Sequence, residues 1–196
     1  MNFLAHLYLS GQEPEHMVGN FIGDFVKGRE LAHRFQPGIV KGIGLHRAID
    51  SYTDAHPVVR QSKKRLSETY RHYSGVITDV FYDHFLASQW SSFSDEPLDH
   101  FAQRSYALLL AYEPILPEEV KQMMPHMMKG NWLLNYQHLD GIARALSGMS
   151  RRTTFQSKME QAIDDLKTHY ALFGDEFQQF FPELKSYCNE WIAHSS

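Results

Sequence analysis

A folded chain buries a carboxylate only where a partner answers its charge, and this sequence sets ionisable groups into apolar helical stripes twice over. In Gly42–Pro57, GIGLHRAIDSYTDAHP, His46 and Asp50 stand four residues apart. On a helix that spacing places them one above the other on a single face. Gly42, Ile43 and Ile49 lie beside them, whereas Arg47 and Ser51 point the other way. In Val76–Trp90, VITDVFYDHFLASQW, Asp79 and Asp83 repeat the spacing among Val76, Tyr82, Leu86 and Trp90. Such groups persist inside a fold when paired, hydrogen-bonded or bound to a metal. The two segments read as halves of one metal site.

The surrounding pattern predicts an all-α fold. Nearly every segment carries the 3.6-residue apolar period, and alternating runs bounded by turn residues are missing. Helices are expected over Asn2–Leu9, Glu13–Lys27, Phe35–Asp54, Val58–Tyr73, Val76–Trp90, Leu98–Tyr112, Glu118–Lys129 and Asn131–Leu146. Residues 147–152 read as a polar connection before two closing helices, Thr154–Phe173 and Asp175–His194. Pro14 and Pro37 suit helix starts, and Gly28 suits a position just past an end. No repeat or composition shift marks a linker, so the 196 residues read as a single helical domain with its own core.

Composition removes several function classes. A formal net charge of -4 offers no bulk drive toward nucleic acid or an anionic membrane, so any acidic partner must meet a local basic patch. One cysteine, Cys188, excludes an internal disulfide and suits a reducing compartment; with no histidine or basic residue nearby it reads as inert. The opening MNFLAHLYLS has no Lys or Arg ahead of its apolar residues, and no stretch reaches the ~20 apolar residues of a spanning helix. The expectation is a soluble, cytoplasmic protein.

Two further pairs share the spacing, Asn2/His6 and Asn20/Asp24, the latter within MVGNFIGDFV. A single pair reads most simply as a buried side chain capping a neighbouring helix. Four pairs in the first half of one chain point to a shared metal site. One or two imidazoles with several carboxylates and no thiolate suit Mn²⁺, Fe²⁺ or Mg²⁺ better than a structural zinc. An ion so held lowers the pKa of bound water toward ~7 and stabilises charge on a transferring phosphoryl group. Metal-assisted phosphoester hydrolysis is the reaction class expected. The Glu-x-x-His pairs of di-iron bundles are missing from the apolar faces, and so is the HExxH of zinc proteases.

Read in order, MNFLAHLYLS, GNFIGDFVKG, HRAIDSYTDAHP, TDVFYDHFLASQW and GMSRR resemble the acyl carrier protein phosphodiesterase family, from Met1 to about Arg152. That family is a divergent, all-helical branch of the HD-type metal-dependent phosphohydrolases. The resemblance implies an HD-like, manganese-dependent hydrolase. It would cleave the 4'-phosphopantetheine arm from holo-acyl carrier protein, giving apo-carrier protein and 4'-phosphopantetheine. Carried over by motif, it names Asp24, His46, Asp50, Asp79 and Asp83 as ligands and near-ligands, with His6 of NFLAH as an additional ligand. In one respect the chain departs from the wider HD pattern: it has no adjacent His-Asp dipeptide, only the reversed Asp83-His84.

Other candidates follow from position. His84 lies about 100° around the helix from Asp83 and reads either as a general acid for the leaving serine oxygen or as a hydrogen-bonded histidine. Asn20 either orients water or a phosphate oxygen, or caps a helix. Arg47, Arg151 and Arg152 are candidates to clamp a phosphate oxygen, with a solvated side chain as the plain alternative. Arg60, Lys63, Lys64 and Arg71 fall on one helix face, a stripe suited to docking an acidic carrier protein or simply to facing solvent. Asp54 and His56 read as a helix end, and Tyr106, Tyr112, Trp132, Tyr136 and Phe180–Phe181 as core. Two rival functions stay open: a phosphohydrolase of small nucleotides, and a non-enzymatic helical module that binds carrier protein.

Overall fold

In the computed structural model, which describes residues 1–28 and 30–195, the apolar period becomes helix throughout, and the described residues contain no strand. Eleven α-helices follow one another: α1 (Phe3–Tyr8), α2 (Pro14–Ile22), α3 (Pro37–Ala55), α4 (Pro57–Tyr70), α5 (Ser74–Ser88), α6 (Leu98–Ala111), α7 (Glu118–Lys129), α8 (Trp132–Asn135), α9 (Leu139–Ser150), α10 (Ala162–Thr168) and α11 (Tyr170–His194). None is long and apolar enough to cross a membrane.

The core is laid down by α5, whose residues 80–87 are all buried. A helix apolar on every side must be surrounded, and α1, α4, α9 and α11 pack against it. From α11, Phe173, Phe177, Phe180 and Phe181 are fully buried. Phe173 meets Phe81 edge-on at 5.0 Å between ring centres, and Phe177 stacks on Phe181 at 4.9 Å. Each such ring contributes roughly 1.5–3 kcal/mol by burial alone. One polar seam crosses this layer. Glu176 of α11 takes both Arg65 amines, at 2.9 and 2.7 Å, and the Ser62 hydroxyl, while Ser62 also meets the Tyr82 hydroxyl at 2.8 Å. Every member has a partner, which makes burial of that charge tolerable.

Helices α2 and α3 come closest of all because Gly19 and Gly42 face each other. A Cβ on Gly19 would fall 2.1 Å from the Ile39 carbonyl oxygen, and one on Gly42 would fall 2.3 Å from the His16 oxygen. The two backbones touch where no side chain intervenes. This contact sets Asn20 of α2 against His46 of α3.

Several expected boundaries shift, each for a local reason. The helix expected over 13–27 stops at Ile22, because Gly23 lies under the His46 ring, where a Cβ would sit 2.2 Å from a ring carbon. The chain tightens there into the 3-10 turn Gly23–Phe25. The segment 131–146 divides into α8 and α9, since His138 is extended and Gly141 packs directly on the Asn135 carbonyl. Residues 147–150, read as a connection, belong to α9. The helix expected from residue 154 begins only at Ala162. Thr153 Oγ1 donates to the Ser150 and Phe155 carbonyls at 2.8 Å each, and Ser150 Oγ meets Ser157 Oγ at 2.9 Å, so side chains capture the bonds a helix would need. The break expected near Gly174 is absent: α11 runs through it, and the missing side chain makes room for the Phe85 ring. Gly75 likewise sits inside α5, and Arg71 falls outside α4 at a positive φ of 50°.

Candidate active site

The site forms where α1, α2, α3 and the turn after α2 converge. His6 of α1 and His46 of α3 stack face to face, ring centres 4.0 Å apart and planes within 18°. Asn20 of α2 holds both. Its side-chain oxygen accepts from His6 Nδ1 at 2.7 Å and its backbone carbonyl accepts from His46 Nδ1 at 2.8 Å. Its amide nitrogen is spent on the His6 carbonyl and the Ser10 hydroxyl, at 2.8 and 2.9 Å, which fixes the amide's orientation. Both histidines therefore hold a proton on Nδ1 and turn Nε2 toward the carboxylates, His6 Nε2 also lying 3.1 Å from the Met1 carbonyl oxygen. His46 Nε2 lies 3.1 Å from Asp50 and 3.2 Å from Asp24, and His6 Nε2 lies 3.4 Å from Asp50.

The cluster is strongly coupled. Burial pushes His46 down, but hydrogen bonds and charge from Asp24 and Asp50 outweigh it and raise the ring to about 9. Burial also disfavours a charged Asp50, yet His46, His6 and the Met1 ammonium hold it far below the usual carboxylate range. Asp24 is lowered, chiefly by its bond to His46. Burial and the neighbouring His46 push His6 below its ordinary value. One imidazole is thus pressed to be neutral and the other to be charged.

His6, His46 and Asp50 offer ligand atoms that all lie within 4.8 Å of one another, and Asp24 adds a second carboxylate at the solvent side. Two imidazole nitrogens pointed by hydrogen bonds at the opposite ring atom, two carboxylates and no thiolate fit Mn²⁺, Fe²⁺ or Mg²⁺ by donor chemistry. A cavity of about 330 Å³ opens beside the two carboxylates, walled by Asn2, Asp24, Asp50, Thr53, Lys63 and Asp79, with the imidazoles buried behind them.

Other candidates land elsewhere. Asp79 faces the same cavity and pairs with the Met1 ammonium at 3.0 Å. Asp83, one turn on, turns away. Its oxygens accept the backbone N–H groups of Asn2, Leu4 and Ala5 at 3.2, 2.8 and 3.3 Å, so it anchors the start of α1, and burial pushes it up to about 7. His84 is not brought to the cluster: its Nδ1 donates to the Tyr136 carbonyl and its Nε2 accepts from the Tyr170 hydroxyl, both at 2.8 Å. Arg47 donates to the Val26 and Gly28 carbonyls at 3.2 and 2.9 Å, bracing the turn that follows Asp24. Arg151 and Arg152 line a separate cleft. Of the basic stripe, Arg60 and Lys64 are exposed on α4, Arg71 lies beyond it, and Lys63 bends to Asp54 at the cavity wall.

Thr53 escaped the sequence reading. It is 1% exposed, it lines the cavity, and its hydroxyl has no hydrogen-bond partner among the described residues. A buried helical threonine ordinarily closes on the carbonyl four residues back, as Thr78 does on Ser74 at 2.8 Å. The signal was available, since Thr53 follows Asp50 at the i,i+3 spacing that shares a face.

Fold and site together define an all-helical protein with a histidine–carboxylate cluster beneath one open cavity. The sequence profile of the acyl carrier protein phosphodiesterase family matches residues 1–184, and the chain belongs to that family. The acyl carrier protein phosphodiesterase of Photorhabdus laumondii subsp. laumondii is 34% identical over 188 residues, covering 94% of this chain and 93% of that protein. That of Shigella boydii serotype 4 is 34% identical over 185 residues, covering 94% and 95%. That of Salmonella agona is 32% identical over the same length and coverage. No solved structure matches the chain.

Proposed function

We propose that this protein is a metal-dependent phosphodiesterase. It hydrolyses the ester between the 4'-phosphopantetheine arm and its serine in holo-acyl carrier protein, leaving apo-carrier protein and 4'-phosphopantetheine. The observation that carries the reading is the meeting of two imidazole Nε2 atoms with Asp50 and Asp24, the two carboxylates opening on one cavity, in a member of this family. His6, His46, Asp50 and Asp24 would hold the ion. When bound, Mn²⁺, or Mg²⁺ or Fe²⁺ with the same donor preference, supplies Lewis-acid charge to the diester.

The chain's own groups do the rest. Asn20 fixes both imidazoles in one tautomer and direction. Lys63 and Thr53 present donors to the phosphoryl oxygens, and Asp79, on the same cavity, orients the attacking water. Arg60 and Lys64, exposed on α4 beside Lys63, give an acidic carrier protein a side from which to dock. An HD-like architecture completes the reading, together with a cytoplasmic location, which the lone, buried, free Cys188 supports.

The test is mass spectrometry of holo-carrier protein incubated with the enzyme and Mn²⁺, beside reactions with EDTA and with Asp50→Ala. Loss of the arm's mass only in the complete reaction is expected. An unchanged mass with Mn²⁺ stoichiometrically bound overturns the substrate and directs the search to small nucleotides.

A further inference from the structure

We propose that a second cleft, walled by α7, α8 and α9, holds the distal, amide-bearing part of the substrate's arm; this rests on the function proposed above. The cleft has a volume of about 350 Å³. Its walls are apolar, from Met123, Trp132, Tyr136 and Met149, and Arg144, Arg151 and Arg152 stand at its rim. Three other arginines are engaged: Arg47 on backbone carbonyls, Arg65 on Glu176 and Arg104 on Glu96. The guanidinium groups of the three rim arginines make no hydrogen bond or ion pair among the described residues.

A neighbouring groove extends this cleft toward the segments that wall the carboxylate cavity. Met123, His126, Met149 and Arg152 are shared with a neighbouring groove of about 520 Å³, whose other wall carries Phe3 and Phe25. Those two residues directly follow Asn2 and Asp24, which wall the carboxylate cavity. Asn2, at the cavity, also donates from its side-chain nitrogen to the hydroxyl of Tyr136, a residue of the cleft, at 3.2 Å. On this proposal a chain that leaves a phosphodiester at the cavity passes Phe3 and Phe25 before it enters the cleft.

The chemistry of the lining selects what enters. Three guanidinium groups are donors only, and the flanking surface is thioether and aromatic. The complementary ligand alternates alkyl segments with carbonyl acceptors and is linear enough to thread the groove. The pantetheine part of the arm, with two amides between short alkyl spans, has that composition. The cleft accordingly gives the enzyme its preference for a phosphopantetheinyl ester over a short phosphodiester.

Gly148 provides the test. It lines the cleft, and a Cβ built there meets nothing within 4 Å, so a side chain can start there from open space and Gly148→Leu narrows the cleft. Leucine is also the better helix former, which protects folding. The expected result is a fall in kcat/KM for holo-carrier protein of tenfold or more, with unchanged hydrolysis of bis(p-nitrophenyl) phosphate, which has no arm. Gly148→Ala, too small to fill the cleft, keeps wild-type kinetics. By calorimetry, free pantetheine binds the wild type and not Gly148→Leu. Equal turnover of holo-carrier protein by wild type and Gly148→Leu overturns the inference, as does binding of inorganic phosphate without pantetheine. If the wild type leaves holo-carrier protein intact while pantetheine binding is still lost in Gly148→Leu, the cleft assignment stands and the proposed function falls.

Discussion

Consider Gly42→Ala in the middle of α3. In an isolated helix the change gains up to about 1 kcal/mol, because alanine is the better helix former. Here the new methyl carbon would lie 2.3 Å from the His16 carbonyl oxygen, 2.8 Å from Gly19 Cα and 2.9 Å from the Asn20 nitrogen. All three are backbone atoms of α2, so no side-chain rotation relieves them. Ordinary contact begins at 3.4 Å, and α2 must retreat by about 1 Å. Overpacking of this kind costs about 1–3 kcal/mol. The same retreat stretches the bond from His46 Nδ1 to the Asn20 carbonyl, worth about 1 kcal/mol. Steric cost exceeds propensity gain, and the net loss is about 2 kcal/mol. For a chain of this size that lowers Tm by about 4–8 °C, read by calorimetry. Mn²⁺ affinity is expected to weaken about tenfold or more, since Asn20 no longer aims the imidazole. A Tm equal to or above wild type would refute the close glycine crossing as the device that positions the site.

Thr53→Val replaces an unpartnered buried hydroxyl with a methyl of the same shape. Unfolding stability is expected to rise by about 1–2 kcal/mol while turnover of holo-carrier protein falls about tenfold, and Thr53→Ser retains activity. A lowered Tm, or an unchanged rate, would show that the hydroxyl has no part in the site. His46 supplies a pH dependence in metal-free protein: its pKa is about 9 folded against an ordinary 6.5, so the folded state holds the extra proton. That stabilisation is complete below pH 6.5 and lost as pH rises through 9, by about 3 kcal/mol at most. Thermal scans in EDTA are expected to show Tm falling over this window, and Mn²⁺ to reverse the slope by displacing the proton; a flat EDTA profile would exclude the His46–carboxylate pairing. Asp83→Ala leaves the backbone amides of Asn2, Leu4 and Ala5 without their acceptor and is expected to cost about 3 kcal/mol or more in urea unfolding. A loss under 1 kcal/mol would remove its anchoring role.

Much of this architecture was legible because helical periodicity is a property of neighbours along the chain. His46 and Asp50 could be placed on one inward face from spacing alone, and they do meet at the cluster. Spacing is silent on what another helix presents to that face. Asp79 and Asp83 share their face equally well, yet Asp79 opens on the cavity while Asp83 meets the amide end of α1. Asn2 and His6 part company in the same way, one reaching Tyr136 and the other Asn20. Glycine was the commonest source of error. Gly174 reads as a break, but it serves packing against Phe85, and Gly23 ends α2 only because the His46 ring lies over it. Both facts depend on residues far away in sequence. Spacing puts Thr53 on the face of Asp50, but only the missing hydrogen-bond partner sets it apart from an ordinary threonine near a helix end.

The most direct test of the account is anomalous diffraction at the manganese edge from crystals of the Mn²⁺-loaded enzyme. One strong peak is expected in contact with Nε2 of His6, Nε2 of His46 and the Asp50 carboxylate. No peak there, or a peak held by Asp79 and Asp83 away from both histidines, would contradict it.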